Sequence, residues 1–288
     1  MPILGSALNY ISRNKVPLAF IAPSFIGVSI FVLIPFADVV RRSFFTATGG
    51  NFVGIKNYSN VFSNAAFQLA AGNTLKFVFV CIPVLVIFSL LLALLVSGIK
   101  RGGDYVRAIF LLPLVIPAAS MVLIWKLFFH NNGLLNSMTE SAFGTQVPFM
   151  ASSAAFWVLT VSYIWKNTGY DMVLWIGGLS KIPVEIHEAA AIDGAGSFKR
   201  LIFITLPNLA GITFMVIVLS LLNSFKVFRE AYLVAGEYPH TSMYMLQHLF
   251  NNWFTALDID KLSAGATVMA LVIFLLISVW MRLIGEGE

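Results

Sequence analysis

Polar and apolar positions alternate in this chain on the scale of whole helices. Six long apolar runs are separated by short polar stretches: Leu18–Ala37, Leu75–Val96, Ala108–Phe129, Ala154–Leu179, Leu209–Leu222 with its continuation, and Ala264–Leu283. A bilayer core about 30 Å thick is crossed by about 20 apolar residues in a helix. The pattern therefore predicts an all-α polytopic membrane protein with about six transmembrane helices. The fifth run is the least regular, because Asn223 and Lys226 interrupt its outer end. The first is longer than a signal-peptide core and lacks a small-x-small exit, so it is read as retained. With no internal repeat and no low-complexity linker, residues 1–288 read as a single transmembrane domain.

Composition agrees with the pattern. Of 288 residues, 59% are hydrophobic and only 11% charged, against about 25% charged in soluble domains. The mean hydropathy is +0.87 and the isoelectric point about 9.4. Basic residues form no patch, so the excess reads as membrane-end charge rather than a nucleic-acid surface. The lone Cys81 excludes an intrachain disulfide and a cysteine metal site. His130, His187, His240 and His248 have no metal-ligand spacing, and no metal is assigned.

Charge also suggests an orientation. With both termini cytoplasmic, the inside flanks hold nine basic residues: Arg13, Lys15, Lys100, Arg101, Arg107, Lys181, Lys199, Arg200 and Arg282. The outside flanks hold six: Arg41, Arg42, Lys56, Lys226, Arg229 and Lys261. The imbalance follows the positive-inside rule. It puts residues 180–207, between the fourth and fifth runs, in the cytoplasm.

That loop reads "KIPVEIHEAAAIDGAGSFKRLIFITLP" from Lys181 to Pro207. Pro183 is a helix-starting residue, and Glu185 and Glu188 favour the early turns through the helix dipole. Ala189, Ala190 and Ala191 are strong helix formers with almost no side chain. Gly194 and Gly196 end the helix and permit a sharp turn. Such a small-residue helix suits close docking on another protein, or packing on its own bundle; local chemistry leaves both open.

The spacing Glu188-Ala189-Ala190, three residues, Gly194, nine residues, Ile204, one residue, Leu206-Pro207 resembles the EAA signature of ABC-importer permeases. "GIKNYSNVF", "NTLKFVFV", "RAIFLLPLVIPAASMVLIWKLFF" and "GLLN" are similar to the sugar-permease family of binding-protein-dependent importers, in that family's order. The resemblance covers nearly the whole chain and implies a type I importer permease fold, paired with a second, different permease subunit. It also implies cytoplasmic ATP-binding subunits, an extracytoplasmic solute-binding protein and a sugar substrate. The loop would be a coupling helix in a groove of the ATPase, with Glu188, Ala189, Ala190, Asp193 and Gly194 at the contact. This chain has no GxxxxGK[ST] phosphate loop, so ATP and magnesium would belong to the partner, with no cofactor and no enzyme activity here.

Ionisable residues inside a span are costly and are functional candidates. Lys166 and Asn167 lie about 13 residues from the outer end of the fourth run, or roughly 20 Å at the helical rise. Tyr163, Asn167 and Tyr170 share a helix face. Rings and amides suit a sugar; they suit interhelical bonding equally. The resemblance places the substrate path here, and adds Ser220, Asn223 and Phe225. Asp171 is open to two readings, as a counter-charge to Lys166 or as a partner for a neighbouring helix. Lys226 is kept among the path candidates with Lys166, although snorkelling is the plainer reading of both Lys226 and Arg229. The acidic residue that the family often carries near Arg229 is taken as missing, which leaves an anionic sugar such as a uronide open. Trp125 and Lys126 read as an interfacial anchor. A secondary transporter is the alternative; it would need no ATPase and usually shows a repeat.

Overall fold

The computed structural model describes residues 15–47, 50–99 and 101–285. Arg13 and Lys100, used for the orientation, lie outside them. The described residues are mostly helical and hold no strand, with one isolated bridge between Phe45 and Phe52. Four helices are long and apolar enough to cross a membrane: Ala19–Arg42, Ala65–Ser97, Ala210–Ala235 and Ile259–Arg282.

The third expected span, Ala108–Phe129, is not one helix. It is broken between Gly103–Val115 and Ala118–Phe129, with a 95° bend. Ile116 is extended there (ψ 121°), because the ring of Pro117 disfavours helical geometry in the preceding residue. The fourth expected span forms a 26-residue helix, Ala154–Leu179. Lys166, Asn167 and Asp171 keep its hydropathy below that of the other four. Counted by length and apolarity, the described residues hold four spans, or five with the bent pair as one.

Helix ends follow local chemistry. The second span begins ten residues before its apolar core, at Ala65, where Asn64 Oδ1 accepts from the amide of Phe67 at 3.0 Å. Asn223 and Lys226 do not end the fifth span. It passes through a 3₁₀ turn, Phe225–Val227, and continues to Ala235. Gly236, at φ +76°, stops it.

Contacts divide the chain into two units. The first comprises residues up to Ser63 and Trp253–Leu271. Asp38 accepts from Arg41 at 2.9 Å and from Arg42 at 2.6 Å. The buried Asn57 amide donates to the carbonyls of Ser43 and Phe45, both at 3.0 Å, closing the turn that follows the first span.

The second unit comprises Asn64–Asn252 and Val272 onward. Its axis is Ala154–Leu179, packed by Ala65–Ser97, Gly103–Val115 and Ala210–Ser224. Phe77, Leu85, Met121, Trp125 and Phe156 fill one core around Tyr163, and Met172, Trp175, Leu209 and Val216 fill another. Lipid tails are as apolar as leucine, so close packing rather than water exclusion holds such helices together. Small residues set the approach. A Cβ on Gly169 would lie 1.9 Å from the Phe110 carbonyl oxygen, and one on Gly178 would lie 2.8 Å from Ile212 Cγ1. Gly169 therefore serves a helix crossing. Trp125 is only 1% exposed, which corrects its reading as an interfacial anchor: its ring fills a core beside Met121 and Phe156.

Candidate functional site

The bend at Ile116–Pro117 and the polar stretch of Ala154–Leu179 together form a recess. It has a volume of about 360 Å³. Leu114 to Ala118 form one wall; Tyr163, Lys166 and Asn167 form another; Asn223, Lys226, Val227, Arg229 and Glu230 form the third. The polar wall is tied together internally. Lys166 Nζ forms an ion pair with Glu230 Oε1, the two side chains 17% and 10% exposed. Asn167 donates to the Tyr163 carbonyl at 2.9 Å, and Lys226 donates to Asn223 Oδ1 at 2.8 Å.

Behind this recess lies a sealed cluster. The Tyr163 hydroxyl donates to the Ser220 carbonyl at 2.6 Å, and Ser220 Oγ donates to Asp171 Oδ2 at 2.8 Å. Asp171 is buried, and its Oδ1 has no partner among the described residues. These bonds join Ala154–Leu179 to Ala210–Ser224.

The expected path residues thus separate. Tyr163, Lys166, Asn167, Asn223 and Lys226 line the recess, whereas Tyr170, Ser220 and Phe225 do not. Of the two readings of Asp171, the neighbouring helix holds: it meets Ser220, and Glu230 rather than Asp171 holds Lys166. Glu230 stands directly after Arg229, which corrects the expectation that the acid near that arginine is missing. Its signal was present: a lysine inside a span requires an opposite charge, and once the fifth span runs on to Ala235 its carboxylates become candidates. Lys226 and Arg229 line the recess as well.

The loop between the spans is built differently. Val184–Ile192 is a helix after Pro183, with no buried residue. Gly194 sits at φ +78° with open space where a Cβ would be, so the backbone turn itself demands glycine. The Ala195 amide donates back to the Ala190 carbonyl at 2.9 Å, and Asp193 to Ala189 at 3.0 Å. Ser197–Arg200 follows, then a wider π turn, Leu201–Thr205, ahead of Pro207. Glu188, Ala189, Asp193 and Gly194 are exposed and Ala190 half-buried. Ile192 is 87% exposed and Phe198 72% exposed.

Residues 70–286 match the family described as binding-protein-dependent transport system inner membrane component. The chain belongs to this family. The family is one of inner-membrane transport components, and the several apolar helices fit a multi-pass membrane protein. A probable ABC transporter permease, YurN of Bacillus subtilis (strain 168), is 30% identical over 96% of this chain and 99% of its own length. The trehalose/maltose transport system permease MalF of Thermococcus litoralis is 28% identical over 96% of this chain and 94% of its own. A solved bacterial ABC transporter involved in importing the acidic polysaccharide alginate has a chain with a TM-score of 0.82 at 20% identity, covering 98% of this chain and 99% of that one. The fold is therefore that of an ABC-importer permease.

Proposed function

We propose that this chain is the permease subunit of a carbohydrate ABC importer, working with a second, homologous permease and with cytoplasmic ATP-binding subunits that carry ATP and magnesium. An extracytoplasmic binding protein delivers the sugar, and this chain hydrolyses nothing. The observation that carries the coupling reading is the exposed helix–turn at Val184–Phe198, whose glycine turn stands inside the EAA spacing and whose Ile192 and Phe198 face outward. An apolar pair left open in a cytoplasmic loop fits a docked protein better than water. Glu188, Ala189, Ala190, Asp193 and Gly194 form the contact. Both termini are then cytoplasmic, and the recess at Lys166 and Asn223 lies on the sugar path. The curated relatives and the solved importer include machines for a neutral disaccharide and for an acidic polysaccharide, so relationship leaves the charge of the sugar open.

Glu188→Lys tests this. Reversing one member of a close charge pair costs several kcal/mol, so uptake should vanish while the protein still inserts. Normal uptake by this variant refutes the coupling role. Topology is checked separately: Ser197→Cys should react only from the cytoplasmic side and Ser141→Cys only from outside. Co-purification of an ATPase in mild detergent separates this reading from a secondary transporter.

A further inference from the structure

The recess carries an uncompensated positive charge. Its lining holds three cations, Lys166, Lys226 and Arg229, and one anion, Glu230. Glu230 is taken by Lys166. Among the described residues Lys226 meets only the neutral Asn223 amide oxygen, which orients the ammonium without cancelling it. Arg229 has no ion pair among the described residues. Lys226 and Glu230 are four residues apart, a spacing at which such side chains commonly pair on a helix; capture of Glu230 by Lys166 prevents that. Two cations therefore face a space partly walled by Leu114, Val115 and Val227. Apolar walls lower the local dielectric and lengthen the reach of a charge.

We propose that this recess is anion-selective and receives the acidic group of the transported sugar — a carboxylate, phosphate or sulfonate — on Arg229 and Lys226. A guanidinium offers paired donors matched to the two oxygens of such a group, and a lysine adds a mobile point charge. Lys166 and Glu230 play a positioning part: their mutual neutralisation is what leaves the other two cations free. The proposal rests on the reading that the recess lies on the sugar path, and extends it to the chemical class of the sugar.

The test uses the complete importer in lipid nanodiscs, so that charges from the second permease are included. A reporter thiol is placed by Asn223→Cys, and separately by Val115→Cys, in a Cys81→Ala background. Each is treated with an anionic sulfonatoethyl methanethiosulfonate and a cationic trimethylammonioethyl one. The ratio of the two rates, divided by the same ratio for free 2-mercaptoethanol, reports the sign of the local field. We expect an anionic preference of about tenfold at low salt, weakening at high salt as screening shortens to a few ångströms. Arg229→Gln should reduce it at least threefold, and Lys226→Gln should reduce it as well. A ratio at or below that of the free thiol, or one that ignores both substitutions, overturns the proposal. So does a thiol unreactive at both positions, since no solute then enters the recess. Uptake of trigalacturonate and of maltotriose is compared in proteoliposomes, and uptake of the one that moves is measured again after labelling at Asn223→Cys; transport of maltotriose with none of trigalacturonate overturns the acidic-sugar assignment. An anionic preference with undiminished uptake refutes the path and leaves the charge standing. Blocked uptake with no preference refutes the charge alone.

Discussion

The sealed cluster and the open recess lie on the same two helical segments, Ala154–Leu179 and Ala210–Ala235, and they differ in what remains after packing. In the sealed cluster, Tyr163, Ser220 and Asp171 bond to one another across the helix interface, with Asp171 Oδ1 left over but closed off from the recess. In the recess, the groups facing the space keep capacity to spare: two cations, and amides bonded on one side only. Tyr163 belongs to both, its ring at the wall and its hydroxyl in the seal. Polar residues in a span therefore divide by whether their partner is protein or something still to arrive. Sealed groups should act on stability, and open groups on transport at constant stability.

The largest expected effect comes from the ion pair on the border of the two. Lys166→Ala removes the ion-pair partner of the nearly buried Glu230 carboxylate, a loss of about 3–5 kcal/mol, reduced to the extent that Lys226 takes its place. Thermal stability and subunit co-purification should both fall, and Lys166→Met with Glu230→Leu should recover most of the stability. Normal stability in the single variant would move this pair wholly to the open side.

A sealed histidine outside the candidate spans extends the rule to pH. His248 is fully buried between Phe228 and Tyr244, accepts from the Met245 amide at 3.3 Å, and leaves Nε2 unpartnered among the described residues. Burial pushes its pKa from 6.5 down to about 4. The unfolded chain therefore binds the proton first, so stability is full above pH 6.5 and is lost as pH falls toward 4, by on the order of 3 kcal/mol. Melting curves in detergent at pH 7, 5.5 and 4.5 should show this slope, and His248→Phe should flatten it. An equal slope in the variant would remove His248 from the sealed class.

Ser220→Ala removes the donor to Asp171 Oδ2, leaving both buried carboxylate oxygens unpaired at a further cost of about 1–3 kcal/mol. Uptake, ATPase rate and co-purification should decline together; a fall in uptake alone would assign Ser220 to the path. Asn223→Ala should do the reverse. One lost contact is worth on the order of 1 kcal/mol, so uptake falls several-fold with the melting curve unchanged. Tyr170→Ala, half-buried and away from the recess, should change uptake least.

Much of this was legible from local pattern. The apolar runs located the helices and Gly194 marked the left-handed turn; the break at Pro117 was not read, although the steric demand of proline was there to signal it. Each is decided by residues within a turn or two: periodicity, the steric demand of proline, the missing Cβ of glycine. The EAA spacing is similarly short in range, so the loop and the family were readable without coordinates. Span boundaries were less so, because Asn223 and Lys226 resemble a helix end until their side chains find a cavity to face.

What the sequence by itself determined, then, is the order of helices, the membrane class, the turn at Gly194 and the want of a phosphate-binding loop. The tertiary structure alone decided the partners. Lys166 meets Glu230 across 64 positions and Asp171 meets Ser220 across 49, and no local period encodes such a pairing. In a medium too apolar to solvate a charge, a buried polar group is strongly driven to a protein partner. Which partner it finds depends on how closely Gly169 and Gly178 let neighbouring helices approach and on how far the chain bends at Ile116. Those distances separate a sealed carboxylate from an open cation on the same helix.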